Sequence, residues 1–140
     1  MDKYFDRLIE LANKSAEFGD VPVGAIILKD NVLLAEGYNT RESDQNILGH
    51  AEINAIQNAC KCINNWNLHG CIMLVTLKPC SMCMEIIKQC RIDKVFYLLD
   101  KPENKHEFNS TKCELLDCKS IAQKYNNILS SFFVNLREKK

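Results

Sequence analysis

The chain has 140 residues, 46% of them apolar and 26% charged, with 18 basic side chains against 18 acidic ones. This is the make-up of one ordinary globular domain, residues 1–140, long enough to bury a core. A formal net charge of zero excludes the broadly basic surface of a non-specific nucleic-acid binder, so any nucleic-acid contact is expected to be local. No run approaches the ~18 apolar residues of a membrane span, so no membrane partner is expected.

Residues 2–18 read as a helix. Phe5, Leu8, Ile9, Leu11, Ala12 and Ala16 recur at helical spacing, and Lys3, Asp6, Arg7, Glu10 and Lys14 fill the other face. Gly19 follows where a helix C-terminus favours glycine. The stretch holds no apolar export signal, so the expected location is cytoplasmic, where thiols stay reduced. Residues 21–28 and 32–38 read as a β-hairpin turning at Lys29-Asp30-Asn31, with Pro22 at the strand start. Residues 39–49 read as a polar loop of the kind that carries binding groups. Asn39 opens it and can donate and accept at once, as a base edge or ribose hydroxyl requires; a turn residue is its plainer reading.

Residues 50–63 read as a helix. His50 and Glu52 are two apart, and such residues diverge on a regular helix. They can meet at one site only if the helix starts within a residue or two of His50. Residues 64–70 form a loop in which Trp66 reads as core cover, with a base-stacking platform as the other reading. Residues 71–77 are nearly all apolar and predict a central strand. A helix over 80–90 follows, with Pro79 at its first turn. Residues 94–99 read as a strand, so strand–helix–strand here makes a βαβ unit with parallel strands. Residues 100–112 read as a polar surface loop holding a solvated His106, residues 113–118 as a short fifth strand, and 120–136 as an amphipathic helix.

Two of these elements carry chemistry. Cys80 and Cys83 are i and i+3 at the positive end of a helix, which stabilises thiolates. With His50 they make three zinc ligands, and three leave the fourth tetrahedral position to water, the pattern of a catalytic zinc. Zinc brings the pKa of such a water to roughly 7. Glu52 is then the candidate catalytic residue, a proton shuttle between that water, a ring nitrogen and a leaving amine. The other six cysteines read as mostly buried small hydrophobes. Two other classes fit the cysteines: a structural zinc module with Cys60 or Cys62 as fourth ligand, which leaves Glu52 without a task, and a thiol redox protein. The succession His50-Ala51-Glu52 and Pro79-Cys80-Ser81-Met82-Cys83 resembles the H-x-E, P-C-x-x-C signature of zinc nucleobase deaminases.

Over nearly its full length the chain resembles the bacterial tRNA-specific adenosine deaminases of the cytidine-deaminase-like fold. The likeness rests on Asp20-Val21-Pro22-Val23-Gly24-Ala25, Gly37-Tyr38-Asn39, His50-Ala51-Glu52 with Asn54-Ala55, the stretch from Thr76 through Cys83, and Ser131-Phe132-Phe133. It implies an α/β protein with a three-layer α/β/α fold and a central five-stranded mixed sheet flanked by helices. It implies one zinc per subunit on His50, Cys80 and Cys83, with Glu52 as shuttle. It also implies a homodimer converting the wobble adenosine of an arginine tRNA anticodon loop to inosine. Asn39 would contact the flipped base, and the last helix, including Phe133, would face the anticodon loop. Phe132, Arg137, Lys139 and Lys140 are further RNA-contact candidates. The chain departs from that family at Asn46-Ile47-Leu48-Gly49, where Asp-Pro-Thr-Ala is usual, and at Lys78, where an acidic residue is usual. The loop after the fourth strand departs too. A free base or nucleoside deaminase on the same zinc core is the alternative.

Overall fold

The computed structural model describes residues 2–100 and 112–138. His106, Lys139 and Lys140, and nearly all of the polar loop expected at 100–112, lie outside the described residues. After a short 3-10 turn at Asp2–Tyr4, the elements run α1 Phe5–Glu17, β1 Gly24–Lys29, β2 Val32–Tyr38, α2 Arg41–Asp44, α3 Ala51–Ile63, β3 Cys71–Leu77, α4 Ser81–Gln89, β4 Lys94–Leu99, β5 Lys112–Leu115 and α5 Lys119–Glu138.

The strands pair in the order β2-β1-β3-β4-β5. β1 is antiparallel to both β2 and β3, while β3–β4 and β4–β5 are parallel, so the sheet is mixed. α1 and α5 pack together on one face, α3 and α4 on the other, giving three layers. β3 lies at the centre, as its apolar run predicts, with Met73, Leu74 and Val75 fully buried. The hairpin turns on Asp30 and Asn31, both in the left-handed region (φ 51 and 62), the two-residue turn whose twist suits paired strands.

The register decides where the site can be. Gly24 pairs with Tyr38, and Ala25 pairs with Val75, so the start of β1 and the end of β2 lie beside the end of β3. Three connections therefore gather at one edge of the sheet: 18–23, 39–50 and 78–80. This edge is the C-terminal end of the parallel pair, where open α/β sheets place ligands.

Several local expectations are corrected. β1 starts at Gly24 rather than at residue 21, and the Pro22 carbonyl accepts from the Tyr125 hydroxyl (2.6 Å) instead of joining a ladder. The loop expected over 39–49 contains the one-turn helix α2. Its first amides are capped by Asp20, whose carboxylate accepts from Glu42 N (2.6 Å) and Ser43 N (3.2 Å). Pro79 precedes the helix rather than entering it, since Cys80 is the extended N-cap of α4. Trp66 is 61% exposed, with the Arg91 guanidinium 6.0 Å from its ring; Leu68 supplies the buried side chain of that loop. All eight cysteines are free thiols, but of the six non-ligands only Cys71 and Cys90 are buried, and Cys62 is exposed. Phe133 packs against the core, while Phe132 stays half-buried at its edge-on contact with Phe133 (5.5 Å between centroids).

Candidate metal centre

His50 is the N-cap of α3, with extended backbone (φ −88°, ψ 144°), and the helix proper starts at Ala51. This satisfies the geometric condition set by the two-residue spacing. His50 leaves the chain before the helix begins, and Glu52 leaves it in the first turn. Cys80 holds the same N-cap place on α4, and Cys83 lies in its first turn. Two helix N-termini thus converge, each adding the positive end of its dipole to one small volume.

His50 Nδ1 lies 3.4 Å from Cys83 Sγ and 4.0 Å from Cys80 Sγ. The ligand atoms of these three residues all fall within 4.8 Å of one another, and among the described residues they form the one such His/Cys/Asp/Glu group. Neither Cys60 nor Cys62 joins it. Glu52 stands beside the group rather than in it. It is 5% exposed, and burial pushes its carboxyl up to about 6.

The donor set fits a divalent metal on its own chemistry. The Cys83 thiol donates to Cys80, and this contact, helped by His50, holds Cys80 down to about 3. The same contact, with burial, pushes Cys83 well above the usual thiol range. His50 is raised, chiefly by its contact with Cys80. One thiolate, one thiol and a proton-holding imidazole are thus crowded together. A metal that displaced their protons would be met by two sulfurs and one nitrogen, the soft set that suits zinc.

These residues line a pocket of ≈ 210 Å³ with walls from all three connections at the sheet edge. Val21 and Val23 supply apolar wall, Asn39 and Arg41 come from the connection after β2, and Lys78 sits between Leu77 and the cysteine turn. Asn39 is placed at the wall as expected, yet both ends of its amide are engaged. Its Nδ2 donates to Val21 O (3.0 Å), and its Oδ1 accepts from Ala51 N (2.8 Å), the first amide of α3. It thereby ties three walls together, and one amide hydrogen remains for a ligand. Sequence reasoning missed Asp20 and Arg41 as site residues. Asp20 is 1% exposed, and its tie to α2 spans a sequence separation no local pattern reveals.

Residues 1–99 match the family model for the cytidine and deoxycytidylate deaminase zinc-binding region. The chain is 32% identical over 148 residues to a tRNA-specific adenosine deaminase of Bacillus subtilis (strain 168), covering 98% of this chain and 91% of that one. Among solved structures it is similar to one from studies of A-to-I editing by tRNA:A34 deaminases (TM-score 0.76, 24% identical, 82% of this chain and 98% of that chain). It is also similar to guanine deaminase from Bacillus subtilis (TM-score 0.66, 29% identical, 90% of this chain and 93% of that chain).

Proposed function

The chain belongs to the cytidine and deoxycytidylate deaminase zinc-binding family, and on that premise we propose that it is a zinc-dependent hydrolytic deaminase converting the wobble adenosine of a tRNA anticodon to inosine. The observation that carries the chemistry is the convergence of His50, Cys80 and Cys83 beside a buried carboxylate that is not one of their set. A zinc ion held by the three residues supplies a Lewis acid that makes a water nucleophilic near neutral pH.

The rest falls to the chain's own groups. Glu52, nearly out of solvent, takes the proton from the attacking water, passes it to the ring nitrogen, and then protonates the departing amine. A carboxyl raised to about 6 is suited to both directions of that transfer near neutral pH. Asn39, held by Val21 and Ala51, offers its remaining amide hydrogen to the edge of the base. Val21 and Val23 exclude water from the ring's faces.

The choice of tRNA rests on the near full-length likeness to a tRNA-specific adenosine deaminase. An arginine tRNA, a homodimer, a single domain and a cytoplasmic location complete the reading. No helix among the described residues is long and apolar enough to cross a membrane. Phe133, Phe132 and Arg137 on α5 are the groups placed for the anticodon loop. The likeness to a guanine deaminase favours a second reading, a free purine base in the same pocket. One assay separates them. Purified protein is incubated with an arginine tRNA anticodon stem-loop, and separately with adenosine, guanine, cytosine and cytidine. Inosine at the wobble position, with the free compounds unchanged, is expected; turnover of guanine with the stem-loop intact overturns the reading.

A further inference from the structure

We propose that Lys78 holds a backbone phosphate of the RNA strand whose base enters the pocket, and so selects a polynucleotide over a free base. The inference rests on the tRNA reading and goes beyond it by assigning a residue and the substrate group it meets.

Lys78 is fixed at its root, because its amide donates to Leu99 O (2.9 Å) at the end of β4. Its side chain is 17% exposed, and its ammonium lies 3.8 Å from Asp100 Oδ2 and 5.6 Å from the centroid of the Tyr97 ring. These contacts hold the cation at the pocket wall, two residues from Cys80. Arg41 brings a second cation to the same pocket from a different connection. The acidic groups nearby are otherwise engaged: both Asp20 oxygens accept backbone amides, and Glu42 pairs with Arg41 at 3.4 Å.

Holding a lysine mostly out of water is costly, and a neutral base gives nothing back for it. A phosphate does, through a charge-assisted hydrogen bond to an ammonium that has three hydrogens to share. Asp100 is about half exposed, so its weak pairing can lengthen as a phosphate arrives. The competing account is purely structural, with Lys78 tying the β4 end to the cysteine turn through Asp100.

Salt dependence separates the two. We would measure kcat and KM for the stem-loop across a salt series with the wild-type protein, Lys78→Gln, Lys78→Arg and Asp100→Asn. Losing one phosphate contact to a single strand makes the slope of log(1/KM) against log[salt] shallower by about 0.7. Lys78→Gln is expected to show that change with kcat held. Lys78→Arg should restore the slope, and Asp100→Asn should keep it. If Lys78→Gln retains the wild-type slope, or Asp100→Asn matches Lys78→Gln, the assignment falls while the tRNA reading stands. A stem-loop left untouched by wild type while guanine is deaminated overturns both. A wild-type gain on adenosine 5′-monophosphate over adenosine, abolished in Lys78→Gln and without effect on the stem-loop, would move the phosphate to a mononucleotide and overturn the polynucleotide claim.

Discussion

Replacing Gly37 with alanine tests whether the position of α3 is what sets the chemistry. Gly37 is in β2, and a Cβ there would stand 2.5 Å from Ala51 O, 2.5 Å from Ala55 N and 3.1 Å from Ala55 Cα. All three are backbone atoms of the helix that carries Glu52 in its first turn and His50 as its cap. Backbone cannot rotate aside as a side chain can. To reach ordinary contact, strand and helix must separate by about 1 Å, an overpacking that costs typically 1–3 kcal/mol. At the upper end this lowers Tm by roughly 10 °C for a chain of this size. The same displacement moves His50 and Glu52 away from Cys80 and Cys83, and a 1 Å misplacement costs on the order of 10²-fold in rate. Gly70→Ala is the control. Gly70 has φ +86 with nothing within 4 Å of a Cβ, and it lies at the opposite edge of the sheet, next to the first residue of β3. That variant carries only the left-handed penalty of about 1–2 kcal/mol, with kcat/KM unchanged. Differential scanning fluorimetry, zinc content and kcat/KM on both variants make the test. A Gly37→Ala protein as stable as Gly70→Ala and as active as wild type would refute the claim that this close approach positions the site.

Other outcomes follow from single contacts. Glu52→Gln keeps the shape of the side chain but removes the shuttle, so kcat should fall by about 10²–10⁴-fold with zinc content unchanged by metal analysis; loss of zinc instead would make Glu52 a ligand. Tyr125→Phe leaves the buried Pro22 carbonyl without its 2.6 Å donor, costing about 1–3 kcal/mol, and thermal melts should show it; a wild-type Tm would mean that this carbonyl finds another partner. Glu36 accepts from Arg7 through both carboxylate oxygens, and that contact lowers its pKa from 4.5. A carboxyl depressed in the folded state contributes fully above its unfolded value and loses that contribution as pH falls through the folded one. The Tm gap between wild type and Glu36→Gln should therefore be widest above pH 4.5 and close on acidification. With both partners about one-third exposed, it should reflect no more than ~1 kcal/mol; a gap that persists at low pH would assign the effect to packing.

The parts of the site that were legible in the sequence are those whose geometry is local. The spacing of His50 and Glu52 demanded a helix start between them, and α3 begins at Ala51. The strands at 32–38, 71–77 and 94–99 agree with their apolar runs, because each is bounded by turn residues and buried as a unit. What could not be read depends on partners far along the chain. α2 exists because Asp20 caps it from across the loop, and nothing within residues 39–49 signals that. Asn39 reads as a free polar group until Val21 and Ala51 are seen to engage it. Trp66 has the composition of a core residue, yet the turn it sits in offers Leu68 to the interior instead. The cysteines misled for a similar reason: burial belongs to a position in a packed layer, and Cys60, Cys62, Cys113 and Cys118 fall at element ends or edges.

This division also separates chemistry from choice of substrate. The groups that would move protons and hold metal leave the first turns of two helices whose placement is set by the sheet and by close backbone contact, so changes there should reduce turnover of every substrate alike. The groups in which this chain departs from the tRNA-specific deaminases sit elsewhere, on the connections. Lys78 is on the turn after β3, and Ile47 and Leu48 are 69% and 44% exposed on a turn that Asn46 fastens through Leu48 N (3.0 Å) and Gly49 N (2.9 Å). Neither contributes an atom to the ligand cluster. Substitutions at these positions should therefore shift KM between one substrate and another while leaving kcat on the preferred one intact, since binding energy gained equally in ground and transition states changes KM alone. A single family core can then serve an RNA strand or a free purine without any change in His50, Glu52, Cys80 or Cys83.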